Sequence, residues 1–374
     1  MVSIDIKISR NINKPLKIKK QNLKETLLKC GIIYTQEKVE IDKFEKLSFK
    51  SVIKKLNGIL IKEDKKFIYI AVDPFRTIPL FICKSNNNIF ISSDIKRCIQ
   101  RNSSNEIDRA GFWELIKYGI CLGNRTLFAN IKQLPGASFL KICKSDLSLS
   151  YNFYWNYRVT QNQKITSINQ AISKLDKLLK KTISNKINQS SNKKFCMGIS
   201  GGLDSRLSLN YLCSILKPEN LQLFTFANNN LSLEYVYAKK IVKSTRFRKP
   251  IFYRLKDQDY LNSFNELPVI SAGLMNFIHG HISNCLRKIP KLKKIKPVQI
   301  SNYFSDAIFG WSTISPSEKV KIGFDKMVAE IMKDDHIPEK TKYIICDDLS
   351  NLYARGEFKL KGNGPYSSSF EYYY

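Results

Sequence analysis

The residues best suited to chemistry form a short glycine loop at 199–205, with the sequence ISGGLDS. An apolar run at 195–199 leads into the loop, and a helical pattern follows at 207–216. The first N–H groups of a helix lack an intrahelical acceptor and attract anions, and paired glycines let a backbone approach phosphate oxygens. The loop therefore predicts a phosphate site. Its candidate members are Ile199, Ser200, Gly201, Gly202, Asp204 and Ser205.

The carboxylate of Asp204 narrows the chemistry of this loop. A carboxylate repels a bare phosphate, so its position beside two glycines makes sense when a Mg²⁺ ion bridges the two groups. One Asp cannot hold Mg²⁺ over a pyrophosphate, which predicts a second metal ligand elsewhere in the chain. No Lys follows the glycines, so the loop is not of the GxxxxGK[ST] type. Asp204 is the first candidate for a catalytic and metal-binding role.

The pattern S-G-G-x-D-S resembles the pyrophosphate loop of the ATP pyrophosphatases. The resemblance implies ATP and Mg²⁺ as cofactors and adenylation as the reaction. A carboxylate or carbonyl oxygen attacks the α-phosphorus, pyrophosphate leaves, and an amine then displaces AMP. Parallel sheets bind ligands at the carboxyl ends of their strands, so we expect adenine beside Asn228, where the apolar run at 221–227 ends.

Two kinds of element must position these residues. Short apolar runs separated by turn residues fill 58–92 and recur at 137–151, which favours an antiparallel sheet. From residue 165 onward a long amphipathic helix is followed by alternating strand and helix patterns, typical of a parallel sheet with crossover helices. The 374 residues also exceed what one core usually fills. We predict an α+β domain at 1–157 and an α/β domain at 158–374.

Segments spread along the chain resemble the glutamine-hydrolysing asparagine synthetase family. VDPFRTIPL at 72–80 is similar to D-P-F-G-x-x-P-L-Y, and ISSDIK at 91–96 to F-A-S-E-I-K. GNRTLF at 123–128 and IKQLPG at 131–136 are similar to G-x-x-T-L-F and I-x-x-L-P-P-G. The resemblance implies an N-terminal-nucleophile-hydrolase-like amidotransferase fold for the first domain. For the second domain it implies an asparagine synthase-type ATP pyrophosphatase with an adenine nucleotide α-hydrolase-like fold.

The resemblance to this family also implies the second metal ligand that the glycine loop requires. SNYFSDAIFGW at 301–311 resembles S-G-x-G-x-D-E-L-F-G-G, so Asp306 is implied as a catalytic Mg²⁺ ligand, with Ser301 and Asn302 bordering the nucleotide. Both family glycines are replaced here, by Asn302 and Phe304. Glycine there lets the backbone approach ATP, so these replacements favour an alternative in which the chain is catalytically inactive.

The first domain departs further from the family. The family's glutaminase nucleophile is a Cys exposed when Met1 is removed, whereas residue 2 here is Val2, and Cys30 is internal. We expect a shortened amidotransferase-like remnant without glutaminase activity, as in β-lactam synthetases and lasso-peptide cyclases. An assay of ammonia release from glutamine should therefore give no signal. The final FEYYY at 370–374 stands about where a further family segment begins, so we also expect a C-terminal truncation.

The net charge of +30 at first suggests a nucleic-acid partner, because 62 basic residues are set against 32 acidic ones. Only 13 of the 62 are Arg, and the Lys residues are spread along the chain. A recognition stripe would be clustered and rich in Arg. The charge therefore argues against nucleic acid and is interpreted as background that assists the binding of anionic ATP.

Other sequence features exclude several classes of protein. The nine Cys show no C-x-x-C spacing, which indicates reduced thiols and not a zinc site or a disulfide framework. The N-terminus has no signal-peptide core, and no apolar run approaches the roughly 20 residues that cross a bilayer. His279 and His281 are two residues apart and lack a third ligand, so we interpret them as ordinary side chains. We expect a cytoplasmic protein without a membrane partner, and the sequence leaves a homodimer open.

The leading interpretation is an asparagine synthetase-like ligase that forms an amide bond at the expense of ATP. It would act through an acyl-adenylate and release AMP and pyrophosphate. The acceptor would be a small-molecule or peptide carboxylate, and the donor an amine or ammonia. Two alternatives stay open. One is an inactive relative that serves as a binding or scaffold protein, and the other is a tRNA-modifying ATP pyrophosphatase.

Overall fold

The computed structural model describes residues 3–9, 16–21, 23–28, 31–35, 51–52, 57–85, 87–102, 104, 106–155, 165, 167–190, 194–271, 286–301 and 317–354. The chain divides into two compact units. The first consists of Met1–Thr160, Ala272–Met275 and Thr313–Tyr374. The second consists of Gln161–Ser271 and Asn276–Ser312.

Antiparallel strands build two sheets in the first unit. Its described strands are β1 (Ser3–Ser9), β2 (Lys17–Gln21), β3 (Lys24–Leu28), β4 (Gly31–Thr35), β5 (Ile59–Glu63), β6 (Phe67–Val72), β7 (Phe81–Ser85), β8 (Asn88–Ser92), β9 (Ile131–Gln133), β10 (Ser138–Cys143) and β11 (Leu149–Phe153). One sheet has the order β2-β1-β8-β7-β9 and the other the order β11-β10-β6-β5-β4-β3. The predicted antiparallel sheet is thus confirmed. The structure adds β2, β3 and β4, which the sequence analysis did not predict.

The two sheets share one core. Alternate side chains of a strand point to the same face, so each strand contributes every second residue. Ile4 and Ile6 of β1 and Ile70 of β6 are fully buried in this core, as is Ile91 of β8. Because these residues come from both sheets, the first unit contains a two-layer β-sandwich.

Both units contain helices. The described helices are α1 (Ile95–Arg101), α2 (Arg109–Tyr118), α3 (Ile168–Gln189), α4 (Leu203–Ile215), α5 (Leu233–Lys243), α6 (Asp257–Ser271), α7 (Pro290–Ile295), α8 (Ser317–Lys333) and α9 (Glu339–Ala354). Asp94 and Asp108 accept N–H groups of the first turns of α1 and α2 as N-caps. Among the described residues, no helix combines the length and the apolar character that crossing a membrane requires.

The last two helices pack within the first unit. Ile331 of α8 and Ile345 and Leu349 of α9 form a buried cluster with Ala110 of α2 and with Leu122. Residues 313–374 accordingly belong to the first compact unit. The sequence analysis assigned the whole of 158–374 to one contiguous domain, because no local pattern reports which core a terminal helix will join.

The second unit contains a parallel sheet. Its described strands are β12 (Phe195–Gly198), β13 (Leu221–Ala227), β14 (Ile251–Arg254) and β15 (Val298–Ile300), in the order β14-β13-β12-β15. Residues of α3, α4 and α5 pack on one face, and Leu292 of α7 and its N-cap residue Ile289 pack on the other. Burial on both faces explains the continuous apolar run LQLFTFA in β13. The predicted parallel sheet is confirmed.

Helix α3 is less buried than its apolar pattern suggests. Ile187 is buried against the core of the second unit, and Ile183 packs beside it. Towards the N-terminus of the helix, Ile168 is 79% exposed and Ile172 is 59% exposed. The periodicity therefore predicted the helix correctly but not which part of its apolar face would be covered.

Candidate functional site

The glycine loop joins β12 to α4 at the carboxyl end of the parallel sheet. Ile199 is 2% exposed, and its N–H donates to the Phe224 carbonyl at 2.9 Å, which ties the start of the loop to β13. Helix α4 begins at Leu203, four residues earlier than the sequence pattern indicated. The predicted strand–loop–helix arrangement of 195–215 is present.

Two serine hydroxyls hold the loop together from inside. The Ser200 N–H donates to Ser205 Oγ at 3.3 Å, and the Gly202 N–H donates to Ser200 Oγ at 3.2 Å. Ser205 is only 6% exposed, and its Oγ also lies 3.2 Å from the Gly202 carbonyl oxygen. The sequence analysis gave these hydroxyls to the phosphate. In the structure they shape the loop, and the backbone N–H groups remain the candidates for anion contacts.

The start of α4 has the features of an anion site. Gly202 is the N-cap residue, and no side chain of the described residues caps the first turn. N–H groups in such a turn carry positive potential and have no intrahelical acceptor. Asp204 lies in this same turn and is half-buried. A carboxylate and N–H groups without an intrahelical acceptor thus share one helix end, which suits a phosphate that arrives with a cation.

Gly201 lies against an aromatic residue that the sequence analysis missed. A Cβ built at Gly201 would stand 3.2 Å from Cβ of Tyr237 on α5 and 3.4 Å from its ring. That spacing is tight for a real side chain, so Gly201 allows Tyr237 to pack directly on the loop. Tyr237 is 49% exposed. The available signal was an exposed aromatic on the helix after the next strand, but its contact with Gly201 required the tertiary structure.

Asn228 follows β13 directly, as the sequence analysis predicted. Its carbonyl oxygen accepts Arg254 Nε at 3.1 Å, and its Oδ1 lies 3.5 Å from the Tyr260 hydroxyl. The Leu255 N–H donates to the Ala227 carbonyl at 2.9 Å, which fixes the end of β13. Asn228 is exposed, so its amide stands at the surface above the sheet edge.

The strand order brings the predicted segments to one place. The chain proceeds from β12 to β13 to β14 in one direction, whereas β15 lies on the other side of β12. Ligands of open α/β sheets bind where the order reverses in this way. Met197 pairs with Ile300, so Ser301 leaves the sheet beside the start of the glycine loop. Ser301 is exposed.

Several predicted residues lie outside the described residues. They are Val2, His279, His281, Asn302 and Asp306. Within the described residues, no group of three or more His, Cys, Asp or Glu side chains could hold a metal ion. Asp204 offers one hard oxygen ligand, and Mg²⁺ commonly takes one or two carboxylates and completes its shell with phosphate and water. The donor type at the loop therefore fits Mg²⁺ bound together with a phosphate group.

The D-P-F turn of the first unit is built around a buried carboxylate. Asp73 is fully buried and accepts the N–H groups of Gly58 at 3.0 Å, Phe75 at 2.9 Å and Thr77 at 3.1 Å. The Thr77 hydroxyl donates to the same carboxylate at 2.5 Å. Burial raises the pKa of Asp73, although these donors oppose the shift. The Asp of this motif thus has a structural role, because its carboxylate holds together the turn at Gly58 and the turn at 73–77.

Comparison with known proteins agrees with these features. Residues 30–155 match the family described as glutamine amidotransferase domain. The chain is 23% identical over 277 residues to "Asparagine synthetase [glutamine-hydrolyzing] 1" of Bacillus subtilis (strain 168). Over this region the chain is similar to an asparagine synthetase. The match covers 71% of the chain and 42% of that relative, so the chain spans under half of the length of the curated relative it matches.

Two solved structures show distant likenesses to this chain. An NH3-dependent NAD synthetase from Campylobacter jejuni is 12% identical with a TM-score of 0.28, covering 49% of this chain and 96% of that one. A glutamine-dependent NAD+ synthetase from Acinetobacter baumannii is 13% identical with a TM-score of 0.28, covering 75% and 68%. At such scores neither likeness carries an argument about the site.

Proposed function

We propose that the chain is an asparagine synthetase-like ATP-dependent ligase that forms an amide bond through an acyl-adenylate, with release of AMP and pyrophosphate. The observation that carries the proposal is the S-G-G-L-D-S loop, which stands at the reversal point of a parallel sheet and opens an uncapped helix. The amidotransferase-domain match at 30–155 and the likeness to an asparagine synthetase support the same reaction class.

The loop would bind the leaving pyrophosphate through its backbone. The first-turn N–H groups of α4 offer donors and positive potential to phosphate oxygens. Their positions are set in advance by the hydrogen bonds among Ser200, Gly202 and Ser205. Donors that need no reorganisation during the reaction stabilise developing charge best. The loop would therefore favour departure of pyrophosphate when the acceptor oxygen attacks the α-phosphorus.

Asp204 and Asp306 would hold Mg²⁺ beside this loop. When bound, Mg²⁺ supplies positive charge that neutralises the phosphate oxygens. Asp204 is suited to the role because it stands in the first turn of α4 and is half-buried. Asp306 is assigned from the family pattern.

Residues at the neighbouring strand ends would position the nucleoside. Asn228 would lie against adenine, with Arg254 and Tyr260 steadying its backbone and side chain. Ser301 and Asn302 would border the nucleotide from the β15 side. Positioning of this kind can supply a large part of a rate enhancement, because it replaces a chance encounter by a fixed geometry.

The remaining features follow from the same proposal. The first domain would be an N-terminal-nucleophile-hydrolase-like amidotransferase fold at 1–157. The second would be an adenine nucleotide α-hydrolase-like pyrophosphatase domain at 158–374. The acceptor would be a small-molecule or peptide carboxylate, and the donor an amine or ammonia.

The direct test is exchange of ³²P-pyrophosphate into ATP with Mg²⁺, measured with and without candidate carboxylates such as aspartate. We expect exchange that depends on both Mg²⁺ and an acceptor, because only a reversibly formed acyl-adenylate returns label to ATP. Absence of exchange with every acceptor, together with absence of ATP binding by calorimetry, would refute the ligase.

A second candidate function is an inactive binding or scaffold protein. It is favoured by Asn302 and Phe304, which replace the glycines of the family pattern near the nucleotide. ATP binding without exchange would support this candidate over the ligase. The pair N302G and F304G should then restore exchange, if the lost glycines are the cause.

Enlarging Gly201 should disturb the loop through Tyr237. In Gly201→Val the new side chain would meet Tyr237 at the tight spacing described above, so the loop must shift. Overpacking of this kind costs about 1–3 kcal/mol, and we expect ATP–pyrophosphate exchange to fall at least about tenfold. The double variant G201V/Y237A should recover most of the exchange. Equal loss in the single and double variants would show that Tyr237 is not the cause.

A further inference from the structure

A buried cluster of charged side chains lies within the first unit, where α2, the 120–126 loop, β9 and α9 meet. We call it the Arg125 cluster. Its members are Asp108, Glu114, Arg125, Lys132 and Asp348. The reaction proposed above uses none of them.

Arg125 is the centre of this cluster. Its Nη1 contacts both carboxylate oxygens of Asp108, at 2.9 Å and 3.1 Å. Its Nε donates to Oδ2 of Asp348 on α9 at 3.1 Å and lies 3.4 Å from Oε1 of Glu114. Lys132 Nζ lies 3.3 Å from Oδ2 of Asp108. Three carboxyl groups thus share two cations, so the cluster has one negative charge too many when all three are ionised.

Glu114 is the carboxyl group that the cluster accommodates least well as an anion. Its side chain is fully buried. Oε2 accepts the Leu122 N–H at 2.9 Å, whereas Oε1 has no hydrogen-bond partner among the described residues. Burial raises the pKa of Glu114 to about 8. The Leu122 N–H and Arg125 oppose the shift, and Asp348 adds to it. Glu114 is therefore mostly protonated near neutral pH, and its proton can join it to the carboxylate of Asp348.

Cys121 and Tyr118, which lie near Glu114, do not change charge near neutral pH. Burial raises the pKa of Cys121 to about 12 and moves that of Tyr118 upward as well, so both stay neutral. The pKa of Asp108 is lowered by its Gly111 N–H bond and by Arg125, against the opposing effect of burial. Glu114 is thus the group of the cluster that titrates near pH 8.

The Arg125 cluster stands where α9 meets α2. Apolar contacts of Ile345 and Leu349 with Ala110 and Leu122 hold the helices together on one side. Asp348 lies in the turn between these two apolar residues and supplies the ionic contact. A second ion pair joins Lys117 of α2 to Asp334, between α8 and α9, and is more exposed.

We propose that a proton shared between Glu114 and Asp348 acts as a latch, and that its loss releases the C-terminal helix pair α8–α9 from α2. When the proton leaves for water, two adjacent carboxylates compete for Arg125 inside a buried interface. Undocking of α9 relieves the repulsion and lets water reach Glu114.

The pH dependence has a definite sign. The pKa of Glu114 is raised in the docked state, and it falls towards the ordinary value of about 4.3 once α9 leaves. The docked state therefore binds the proton more tightly, and its advantage is lost as pH rises towards about 8. Each pH unit in this window raises the open fraction by up to about tenfold, which amounts to about fifty-fold between pH 6 and pH 8.

Hydrogen–deuterium exchange of the full chain tests the latch. The readout is the protection factor of α9 amides, corrected for the intrinsic effect of pH on exchange. We expect it to fall about fifty-fold from pH 6 to pH 8. Helix α5, in the second unit, is the internal control and should hold its protection. An unchanged α9 across this range would overturn the proposal.

Two variants identify the proton that matters. In Glu114→Gln the amide keeps an acceptor for the Leu122 N–H and a donor for Asp348, so α9 protection should vary less than twofold with pH. Asp348→Asn changes a partly exposed residue on α9 and removes one contribution to the raised pKa of Glu114, while burial remains. The pH dependence should therefore weaken without disappearing. A full pH dependence retained in both variants would overturn the proposal. If Glu114→Gln does not fold, Asp348→Asn decides it alone.

Discussion

Asp204→Asn is expected to lower ATP–pyrophosphate exchange by at least about 100-fold, the usual cost of removing a group that stabilises transition-state charge. Asp204 stands in the first turn of α4, beside the N–H groups proposed to receive pyrophosphate. The amide of Asn keeps the shape of the side chain but loses the charge that Mg²⁺ requires. The measurement is initial exchange rate at saturating ATP and over a series of Mg²⁺ concentrations.

The matched control for this variant is Asp257→Asn. Asp257 is likewise a first-turn acid of a helix in the second unit, at the start of α6, and it is exposed. Its removal tests whether any such charge supports exchange by general electrostatics. We expect less than a twofold effect from D257N and unchanged melting temperatures for both variants. Full exchange in D204N would remove Asp204 from the metal site.

Asp73→Ala is expected to destabilise the first unit by about 3 kcal/mol or more, because each buried donor left without an acceptor costs about 1–3 kcal/mol. The donors that lose their acceptor are the N–H groups of Gly58, Phe75 and Thr77 and the hydroxyl of Thr77. Asp73 is fully buried, so water can replace the carboxylate only if the two loops open. Urea denaturation followed by circular dichroism measures the change.

Asp64→Ala is the matched control for Asp73. Asp64 also accepts two N–H groups, from Lys66 at 2.9 Å and Phe67 at 2.7 Å, but this turn is exposed. Water can replace that carboxylate, so we expect a loss of less than about 1 kcal/mol. A similar loss in the two variants would mean that burial does not decide the role of Asp73.

The glycine loop was predictable from the sequence because its determinants are local. Glycines, serines and an Asp between an apolar run and a helical pattern specify a strand–loop–helix unit within about twenty residues. Asn228 was predictable for a similar reason, since it follows the next apolar run. The assignment of Ser200 and Ser205 to the phosphate site stays a prediction. Their hydroxyls form hydrogen bonds within the loop. Whether a serine hydroxyl contacts the loop backbone or a ligand depends on backbone geometry, which a sequence motif does not specify.

Features that depend on distant pairing were not predictable in this way. The sequences of strands β2, β3 and β4 show little apolar alternation. These strands are recognised by their pairing, as in the pairing of β2 with β1 and of β3 with β4. Tyr237 touches Gly201 because α4 and α5 pack on the same face of the sheet. Arg125 and Asp348 are 223 residues apart in sequence, yet they meet in one ion pair.

The sequence by itself therefore determined the two kinds of sheet, the glycine loop and the resemblance to asparagine synthetases. These features depend on residue periodicity and short motifs, which act over one or two elements. The tertiary structure alone decided the strand order that brings Ser301 beside the loop and the packing of α8 and α9 within the first unit. It also decided the burial that raises the pKa of Glu114. The physical reason is that burial and pairing are properties of the assembled chain, and a pKa or a contact acquires its value only there.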